Sequence, residues 1–178
     1  MTRSAGHYEG ALRAILHAFK YEGRRQLAEP LSSMMRTAGQ SLLADADCVI
    51  PVPLHPWRRA RRGFNQSEDL ARRLGVPMRR LLWRIRRTAP QTNLEALARR
   101  QNVRGAFVVA PLVSSRQRRR WLEGRQVVLV DDVRTTGATL EACALVLNAA
   151  GVKEVRALTV ARADLRRATA DARTETAA

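Results

Sequence analysis

Two adjacent aspartates, Asp131 and Asp132, lie between an apolar run and a glycine-containing turn in the stretch VVLVDDVRTTGATL, residues 127–140. Neighbouring carboxylates repel each other, so a chain that places them at a strand end is expected to provide something for them to bind. The TTGAT segment that follows supplies backbone N–H groups, hydroxyls and the positive end of a helix dipole, which together can hold an anion. Gly137 has no side chain and lets a phosphate approach the backbone. Sugar-hydroxyl acceptors beside phosphate donors predict a site for a phosphorylated pentose.

The spacing of glycines excludes two other nucleotide-binding motifs. The chain contains no Gly-Lys pair and therefore no P-loop, although VVLVDD alone resembles a Walker B strand. It contains no Gly-x-Gly, so the fingerprint of a dinucleotide-binding fold is absent as well. The remaining alternative is a strand that ends in exposed acids before a capped helix, with no ligand.

The segments around this motif alternate between strand and helix patterns. VVLV is apolar at every position, which is typical of a central parallel strand covered on both faces. Apolar residues at helical spacing predict helices over residues 12–19, ended by Gly23, and over residues 27–42. The alternation predicts an α/β protein with a parallel sheet flanked by helices.

The remaining elements follow from turn and capping signals. Asn65 and Thr92 each have a glutamate three residues later and are predicted to open helices, and a helix is also expected over residues 140–147. Residues 113–124 read as a polar, basic connection, and the prolines after CVI predict a stiff loop. We expect the other strands at CVIPVPL, LLWRI, AFVVA and EVRALTVA.

Arginine dominates the charge of the chain. There are 32 basic and 16 acidic residues, a net charge of +16, and only Lys20 and Lys153 are lysines. Arginine is concentrated over residues 58–87 with Trp57, Phe64 and Trp83 interleaved, a pattern that suits single-stranded nucleic acid. The alternative is a coding bias toward arginine with a solvated surface. The residues predicted for nucleic-acid contact are Trp57, Arg61, Arg62, Arg72, Arg73, Arg79 and Arg80.

Composition bounds the class of protein. A chain of 178 residues with 46% hydrophobic residues fits one globular domain, which we expect over residues 1–165, followed by a disordered tail over 166–178. We identify neither a signal peptide nor an apolar run of membrane-spanning length, and we therefore expect a cytoplasmic protein with no membrane insertion. Cys48 and Cys143 lack metal-ligand spacing with each other or with histidine, which predicts structural thiols and no zinc.

The chain resembles the ComF family of competence-related proteins, which are similar to type I phosphoribosyltransferases. Four segments match in the family's order, HAFKYEGRRQLA, IPVPLHPWRRARRGFNQSEDLA, RTAPQTNLEALARRQNVRGAF and VVLVDDVRTTGAT, and they cover roughly residues 8 to 162. The resemblance implies a core parallel sheet with a small N-terminal helical or hood region. Members commonly begin with a four-cysteine zinc ribbon, and this sequence starts just after where the ribbon would lie. Two alternatives stay open: the ribbon lies upstream of the given start, or the protein lacks it.

The resemblance also implies a site. Asp131 and Asp132 would bind the ribose, and the 5-phosphate loop would consist of Arg134, Thr135, Thr136, Gly137, Ala138 and Thr139. A pyrophosphate loop would contain Pro53, Leu54, His55, Arg58, Arg59 and Arg62. A mobile loop, RTAPQTNLEALARRQN, would close over the site and bring Arg87 and Arg100 to the pyrophosphate as catalytic residues beside the two aspartates. Magnesium would arrive bound to phosphoribosyl pyrophosphate, without a direct protein site.

Two functions stay open for such a protein. One is an enzyme that transfers phosphoribose from phosphoribosyl pyrophosphate to a nitrogen nucleophile. The other is a non-catalytic sensor of a 5-phosphoribosyl nucleotide that binds single-stranded DNA during uptake, with a competence helicase and channel as partners. The sequence does not identify an acceptor base, and it leaves a homodimer open.

Overall fold

The computed structural model describes residues 1–86 and 105–163, without the side chain of Arg61. The expected domain boundary at residue 165, the tail over 166–178 and the helix after Thr92 lie outside these residues. The elements in chain order are β1 (Thr2–His7), α1 (Gly10–Tyr21), a 3-10 turn (Arg25–Leu27), α2 (Ala28–Leu43), β2 (Cys48–Pro51), α3 (Pro56–Arg62), α4 (Gln66–Ala71), β3 (Leu82–Arg84), β4 (Phe107–Val109), α5 (Ser115–Trp121), β5 (Gln126–Arg134), α6 (Ala138–Ala149) and β6 (Glu154–Arg162).

The central sheet is parallel and has the strand order β1-β6-β5-β2. Helices α1, α2 and α4 cover the face on which Val128 and Val130 of β5 are buried. Helix α6 and the β3–β4 hairpin cover the other face, on which Val127 and Leu129 are buried. Burial on both faces explains why VVLV carries no alternation of apolar and polar residues. The predicted α/β fold, a parallel sheet flanked by helices, is confirmed.

β1 is a strand that the sequence pattern did not predict. Its segment, TRSAGH, contains one aliphatic side chain and forms the edge of the sheet, in parallel pairing with β6. Ser4 Oγ and Thr159 Oγ1 are hydrogen-bonded at 2.7 Å across the two strands. Backbone pairing and hydroxyl contacts hold this strand, so it has no apolar period from which it could be recognised.

Helix α3 lies where the sequence predicted a stiff loop, and helix α5 lies where it predicted a polar connection. Pro56 begins α3, the Trp57 N–H donates to the His55 side chain, and Gly63 ends the helix with φ 75°. Helix α5 begins with a capping box formed by Ser114 and Gln117. Helix α5 buries none of its residues and therefore has no apolar period in its sequence. Only its capping residues mark it as a helix.

The β3–β4 hairpin and α4 agree with the sequence. β3 and β4 lie in the segments LLWRI and AFVVA and pair antiparallel in a separate two-stranded sheet. Helix α4 begins after Asn65, whose side-chain oxygen accepts the Ser67 N–H at 3.1 Å. The chain between the two strands includes residues 87–104, which lie outside the described residues.

Both cysteines are buried free thiols, as predicted. Burial raises the pKa of the Cys48 thiol to about 11 and the pKa of the Cys143 thiol well above its usual value. Since the thiolate is the reactive form, these residues act as small hydrophobes in the core.

Candidate functional site

Asp131 and Asp132 lie near the carboxyl end of β5, at the edge where open parallel sheets bind ligands. The sequence analysis placed the two aspartates at the end of the strand. The strand runs on to Arg134, so both lie within its last few residues. Residues 131–137 are half-buried throughout. Strand geometry therefore holds both acids at this edge of the sheet.

Asp132 has a cationic partner on α1. Lys20 Nζ lies 2.9 Å from Asp132 Oδ1, and the two side chains are only 14% and 13% exposed. Burial alone would lower the pKa of Lys20, but the carboxylate of Asp132 outweighs it and the pKa is raised. The carboxylate of Asp132 therefore favours the charged form of Lys20 inside the fold.

Asp131 is held by different contacts. Its Oδ1 accepts a hydrogen bond from Ser67 Oγ at 3.0 Å and one from the backbone N–H of Asp132 at 2.9 Å. Burial, followed by the charge of Asp132, raises the pKa of Asp131 to about 7, while the hydrogen bonds and Lys20 oppose that rise. A carboxyl that titrates near neutrality is typical of a site built for a ligand.

The turn that follows has the geometry of an anion cradle. Gly137 precedes α6 with φ 80°, a left-handed conformation that glycine adopts without strain. The Ala138 N–H donates to Thr136 Oγ1 at 3.3 Å, and the Glu141 N–H donates to the Gly137 carbonyl at 2.9 Å. Apart from Gly137 and its two chain neighbours, no described residue has a heavy atom within 4 Å of the position of a Cβ on Gly137. The space beside the start of this twelve-residue helix is therefore open.

The predicted pyrophosphate loop connects β2 to α3 and is fixed at its base. The Val52 N–H donates to the Val130 carbonyl at 2.9 Å, and Asn65 Nδ2 donates to the Val52 carbonyl at 3.1 Å. Pro53, Leu54 and His55 follow and are half-buried. Pairing of β2 with β5 thus places this loop beside Asp131 and Asp132.

Arg59 and Arg62, both predicted for this loop, have partners in α4 and α1. Arg59 Nη1 is 3.4 Å from Glu68 Oε1. Arg62 donates to Gln66 Oε1 at 3.2 Å and to the Tyr21 hydroxyl at 3.1 Å. Burial, followed by the charge of Arg58, lowers the pKa of Arg84 in β3, so Arg58 lies near the hairpin.

Glu68 and Asp69, which the sequence analysis did not select, bind much of the local arginine. Glu68 accepts from Arg80 at 2.8 Å and from Arg72 at 3.5 Å, in addition to Arg59. Asp69 accepts two hydrogen bonds from Arg25, at 2.7 and 2.9 Å. Both carboxylates are buried, so this cluster anchors α4 to its surroundings.

The other residues predicted for nucleic-acid contact differ in their partners and in their exposure to solvent. Arg73 donates to the Asp69 carbonyl at 2.6 Å, and Arg79 stacks 3.9 Å over the Trp121 ring. Phe64 is in the core, whereas Trp57 and Trp83 are 47% and 44% exposed. Arg61 has no described side chain, and the catalytic predictions for Arg87 and Arg100 fall outside the described residues.

A cleft of about 1260 Å³ lies between α3, β3 and α5. Its walls combine apolar residues, among them Leu54 and Leu112, with the rings of Trp83 and Trp121. Among the described residues, several arginines and one carboxylate, that of Glu68, also line it. The cleft borders the outer side of the pyrophosphate loop and does not include the two aspartates of β5.

Residues 1–86 and 105–163 contain neither a metal-binding cluster nor a membrane-spanning helix. No group of three or more histidine, cysteine, aspartate or glutamate side chains there is arranged to hold a metal ion. No helix in the same residues has both the length and the apolar composition needed to cross a bilayer.

Comparison with known proteins gives one family. The model of the phosphoribosyl transferase domain matches residues 60–175. Competence protein F of Haemophilus influenzae is 37% identical over 168 residues, which cover 89% of this chain and 71% of that protein. The DNA utilization protein YhgH of Escherichia coli K12 is 34% identical over 84% of this chain and 66% of its own length. The chain therefore spans about two thirds of the length of these relatives.

Solved structures with a similar chain path are more distant. The allosteric regulatory enzyme of purine biosynthesis aligns with a TM-score of 0.45 and 23% identity over 75% of this chain and 26% of its own. Glutamine phosphoribosylpyrophosphate amidotransferase from B. subtilis aligns with a TM-score of 0.47 and 21% identity, over 79% of this chain and 30% of its own.

Proposed function

Because the chain belongs to the phosphoribosyl transferase domain family, together with competence protein F, we propose that it binds phosphoribosyl pyrophosphate at the carboxyl end of β5. The observation that carries the proposal is the sequence of two half-buried carboxylates, Asp131 and Asp132, followed directly by the open Gly137 turn at the start of α6. Acceptors for sugar hydroxyls and donors for a phosphate stand next to each other in that order. No other described segment combines them.

Each part of the ligand has matching protein groups. The 5-phosphate would lie against the backbone N–H groups and hydroxyls of residues 134–139, favoured by the helix dipole. The ribose hydroxyls would donate to Asp131 and Asp132. Lys20 Nζ, 2.9 Å from Asp132 Oδ1, orients that carboxylate beside the proposed ribose site.

Magnesium fits this donor set as a companion of the ligand. The ion prefers oxygen ligands and commonly binds through substrate phosphates with one or two carboxylates, and the two aspartates are the carboxylates available here. When bound, it would neutralise charge on the pyrophosphate. The protein contributes the remaining cations from Arg58 and Arg59 on α3, at the leaving-group side of the site.

The proposed reaction is transfer of the phosphoribosyl group to a nitrogen nucleophile. No protein side chain has to act as nucleophile, so the chemistry depends on positioning, charge neutralisation and exclusion of water. Ribose 5-phosphate tests the binding step, because it should raise the melting temperature of the wild-type protein if the phosphate cradle is correctly placed. No stabilisation at millimolar ligand would refute the site.

Release of pyrophosphate separates the enzyme from the sensor. We expect wild type to release pyrophosphate from magnesium-bound phosphoribosyl pyrophosphate in the presence of a suitable base, and the Arg87→Ala/Arg100→Ala variant to bind the ligand without releasing it. If no base in a broad panel raises release above the uncatalysed rate, the protein is a sensor of the ligand and not a transferase.

A second candidate function is binding of single-stranded nucleic acid in the cleft. The cleft presents Trp83, which is 44% exposed, and Leu112, which is 95% exposed, between arginines of α3 and α5. Exposed rings stack on bases and guanidinium groups neutralise phosphates, which suits a single strand without sequence preference. The names of the relatives, competence protein F and DNA utilization protein, agree with such a role.

Two arginines of α5 give a matched test. Arg120 lines the cleft, whereas Arg118 lies on the same helix and does not line it. The affinity for a labelled oligothymidine, measured by fluorescence anisotropy, should fall as the salt concentration rises. A plot of log affinity against log salt concentration should have a slope of roughly −0.7 for each phosphate contacted. Arg120→Gln should reduce that slope and Arg118→Gln should not. Equal slopes for both variants, or no binding at low salt, would remove this candidate.

A further inference from the structure

The cleft and the proposed phosphoribosyl site share one segment of the chain. The proposed pyrophosphate loop follows β2, and the pairing of β2 with β5 places it beside Asp131 and Asp132. Three residues assigned to that loop, Pro53, Leu54 and Arg59, also line the cleft. A ligand in the cleft would therefore contact the outer side of the loop, and a pyrophosphate beside the aspartates would contact its inner side.

Arg59 is the cation of this shared segment. It lies on α3, its side chain is 48% exposed, and its Nη1 is 3.4 Å from Glu68 Oε1. The carboxylate of Glu68 is buried and also pairs with Arg80 at 2.8 Å and with Arg72 at 3.5 Å. If Arg59 turns toward a bound anion, Glu68 keeps two cationic partners, so the movement does not leave a buried charge unpaired.

A single strand bound in the cleft would not be the acceptor of the phosphoribosyl group. In a displacement at the anomeric carbon, the nucleophile approaches from the side opposite the leaving group. The cleft adjoins the loop that would hold the pyrophosphate, which is the leaving-group side. An occupant of the cleft is therefore placed to change the binding of the ligand and not to receive the sugar.

We propose that Arg59 couples the two sites, because single-stranded nucleic acid in the cleft and the pyrophosphate of the ligand compete for its guanidinium group. The inference rests on the proposed phosphoribosyl site and on the binding of a single strand in the cleft. A guanidinium group that is bound to a phosphate of the strand is no longer placed to neutralise the pyrophosphate, so each ligand weakens the binding of the other. The coupling is reciprocal, since two ligands must change each other's affinity by the same factor.

Two ligands that differ at the leaving group test this coupling in the wild-type protein. Phosphoribosyl pyrophosphate carries the pyrophosphate, whereas ribose 5-phosphate lacks it and keeps the ribose and the 5-phosphate. The affinity for a labelled oligothymidine is measured by fluorescence anisotropy at constant magnesium concentration and ionic strength. Saturating phosphoribosyl pyrophosphate should weaken oligothymidine binding by at least about fivefold. Saturating ribose 5-phosphate should leave it unchanged.

Arg59→Gln and Arg120→Gln are a matched pair of variants for the same measurement. Arg120 lines the cleft from α5 and lies outside the proposed pyrophosphate loop. Both variants should bind the oligothymidine more weakly than wild type does. Arg120→Gln should retain the effect of phosphoribosyl pyrophosphate, and Arg59→Gln should lose it. An effect that survives in Arg59→Gln would come from direct competition in the cleft and would overturn the inference.

The outcomes separate this inference from the functions on which it rests. If phosphoribosyl pyrophosphate does not bind wild type in titration calorimetry, the phosphoribosyl site and the coupling are both refuted. If oligothymidine does not bind at low salt, the strand and the coupling are refuted and the phosphoribosyl site stands. If both ligands bind and the oligothymidine affinity is the same with and without phosphoribosyl pyrophosphate, only the coupling is refuted.

Discussion

Asp131 and Asp132 are neighbours in sequence but have different surroundings. Asp132 is paired with Lys20, whereas Asp131 relies on hydrogen bonds from Ser67 and from the backbone and has a pKa raised to about 7. The two residues should therefore respond in opposite ways to the same substitution.

Asp131→Asn should stabilise the free protein at alkaline pH. Because the folded-state pKa of Asp131 rises from 3.8 to about 7, the folded protein binds more protons than the unfolded chain in that interval, and its stability falls as pH rises through it. Asn cannot ionise, so the variant should be more stable by about 2 kcal/mol at pH 8, with no advantage near pH 4. Urea unfolding across pH measures this difference. A constant difference would show that Asp131 does not titrate as described.

Lys20→Met should destabilise the protein by about 3 kcal/mol, because it leaves the carboxylate of Asp132 buried without its partner. The double variant Lys20→Met/Asp132→Asn removes both charges and should recover most of that loss. Urea unfolding of the two single variants and the double variant gives the coupling energy. A loss below about 0.5 kcal/mol for Lys20→Met would show that the pair is solvated.

The sequence could identify the acids of the site but not their partners. Asp131, Asp132 and Gly137 are adjacent along the chain, so their order alone indicates the kind of ligand. Lys20 and Ser67 come from distant segments, and only the packing of α1 and α4 against β5 brings them within hydrogen-bonding distance. Long-range pairs of this kind have no local signal.

Among the elements, the turn at Gly137 joins backbone geometry directly to ligand binding. A residue with a Cβ at φ 80° is strained by about 1 kcal/mol, and the side chain would also point into the open space of the cradle. Gly137→Ala should therefore lose about 1 kcal/mol of stability and most of the stabilisation by ribose 5-phosphate.

Gly124→Ala is the matched control for this prediction. Gly124 has φ 70° and open space at its Cβ position, but it lies in the turn before β5, at the opposite end of that strand from the cradle. It should show a similar loss of stability and unchanged stabilisation by ribose 5-phosphate in thermal-shift measurements. Equal loss of ligand response in both variants would mean that the effect is global.

The junction of β2 and α4 gives a second prediction for an element. Asn65 caps α4 through its oxygen and holds the Val52 carbonyl through its amide nitrogen. Asn65→Ala should cost about 2 kcal/mol. Asn65→Asp keeps the cap but turns an acceptor toward the Val52 carbonyl, so it should also destabilise the fold and weaken binding of phosphoribosyl pyrophosphate. Wild-type stability of Asn65→Asp in urea would show that only the cap matters.

The elements that the sequence predicted best are those that bury an apolar face. The apolar periods of α1, α2 and β5 and the cap of α4 were readable, because burial of a face or a capping side chain leaves a mark in the sequence. β1 and α3 were missed. β1 is held by backbone pairing at a sheet edge, and the arginine-rich α3 is defined by a proline at its start and a glycine at its end.

At the scale of the whole molecule, the excess of arginine has more than one use. The buried carboxylates of Glu68 and Asp69 bind several half-exposed arginines, whereas Arg134 and Arg162 lie at the sheet edge without ion pairs in the described residues. The arginines between Trp57 and residue 87 therefore do not form the one continuous surface that the sequence alone suggested. A net charge of +16 sets the overall attraction to polyanions, while these local contacts decide where an anion can bind.

The central claim is that residues 131–139 bind a phosphoribosyl ligand, and titration calorimetry with phosphoribosyl pyrophosphate and magnesium tests it most directly. Wild type should bind one equivalent with a dissociation constant between about 1 μM and 1 mM, the usual range for an enzyme and its substrate. Gly137→Val, with its fold verified by circular dichroism, should bind at least tenfold more weakly. Absence of binding to wild type, or equal affinity in the two proteins, would contradict the assignment.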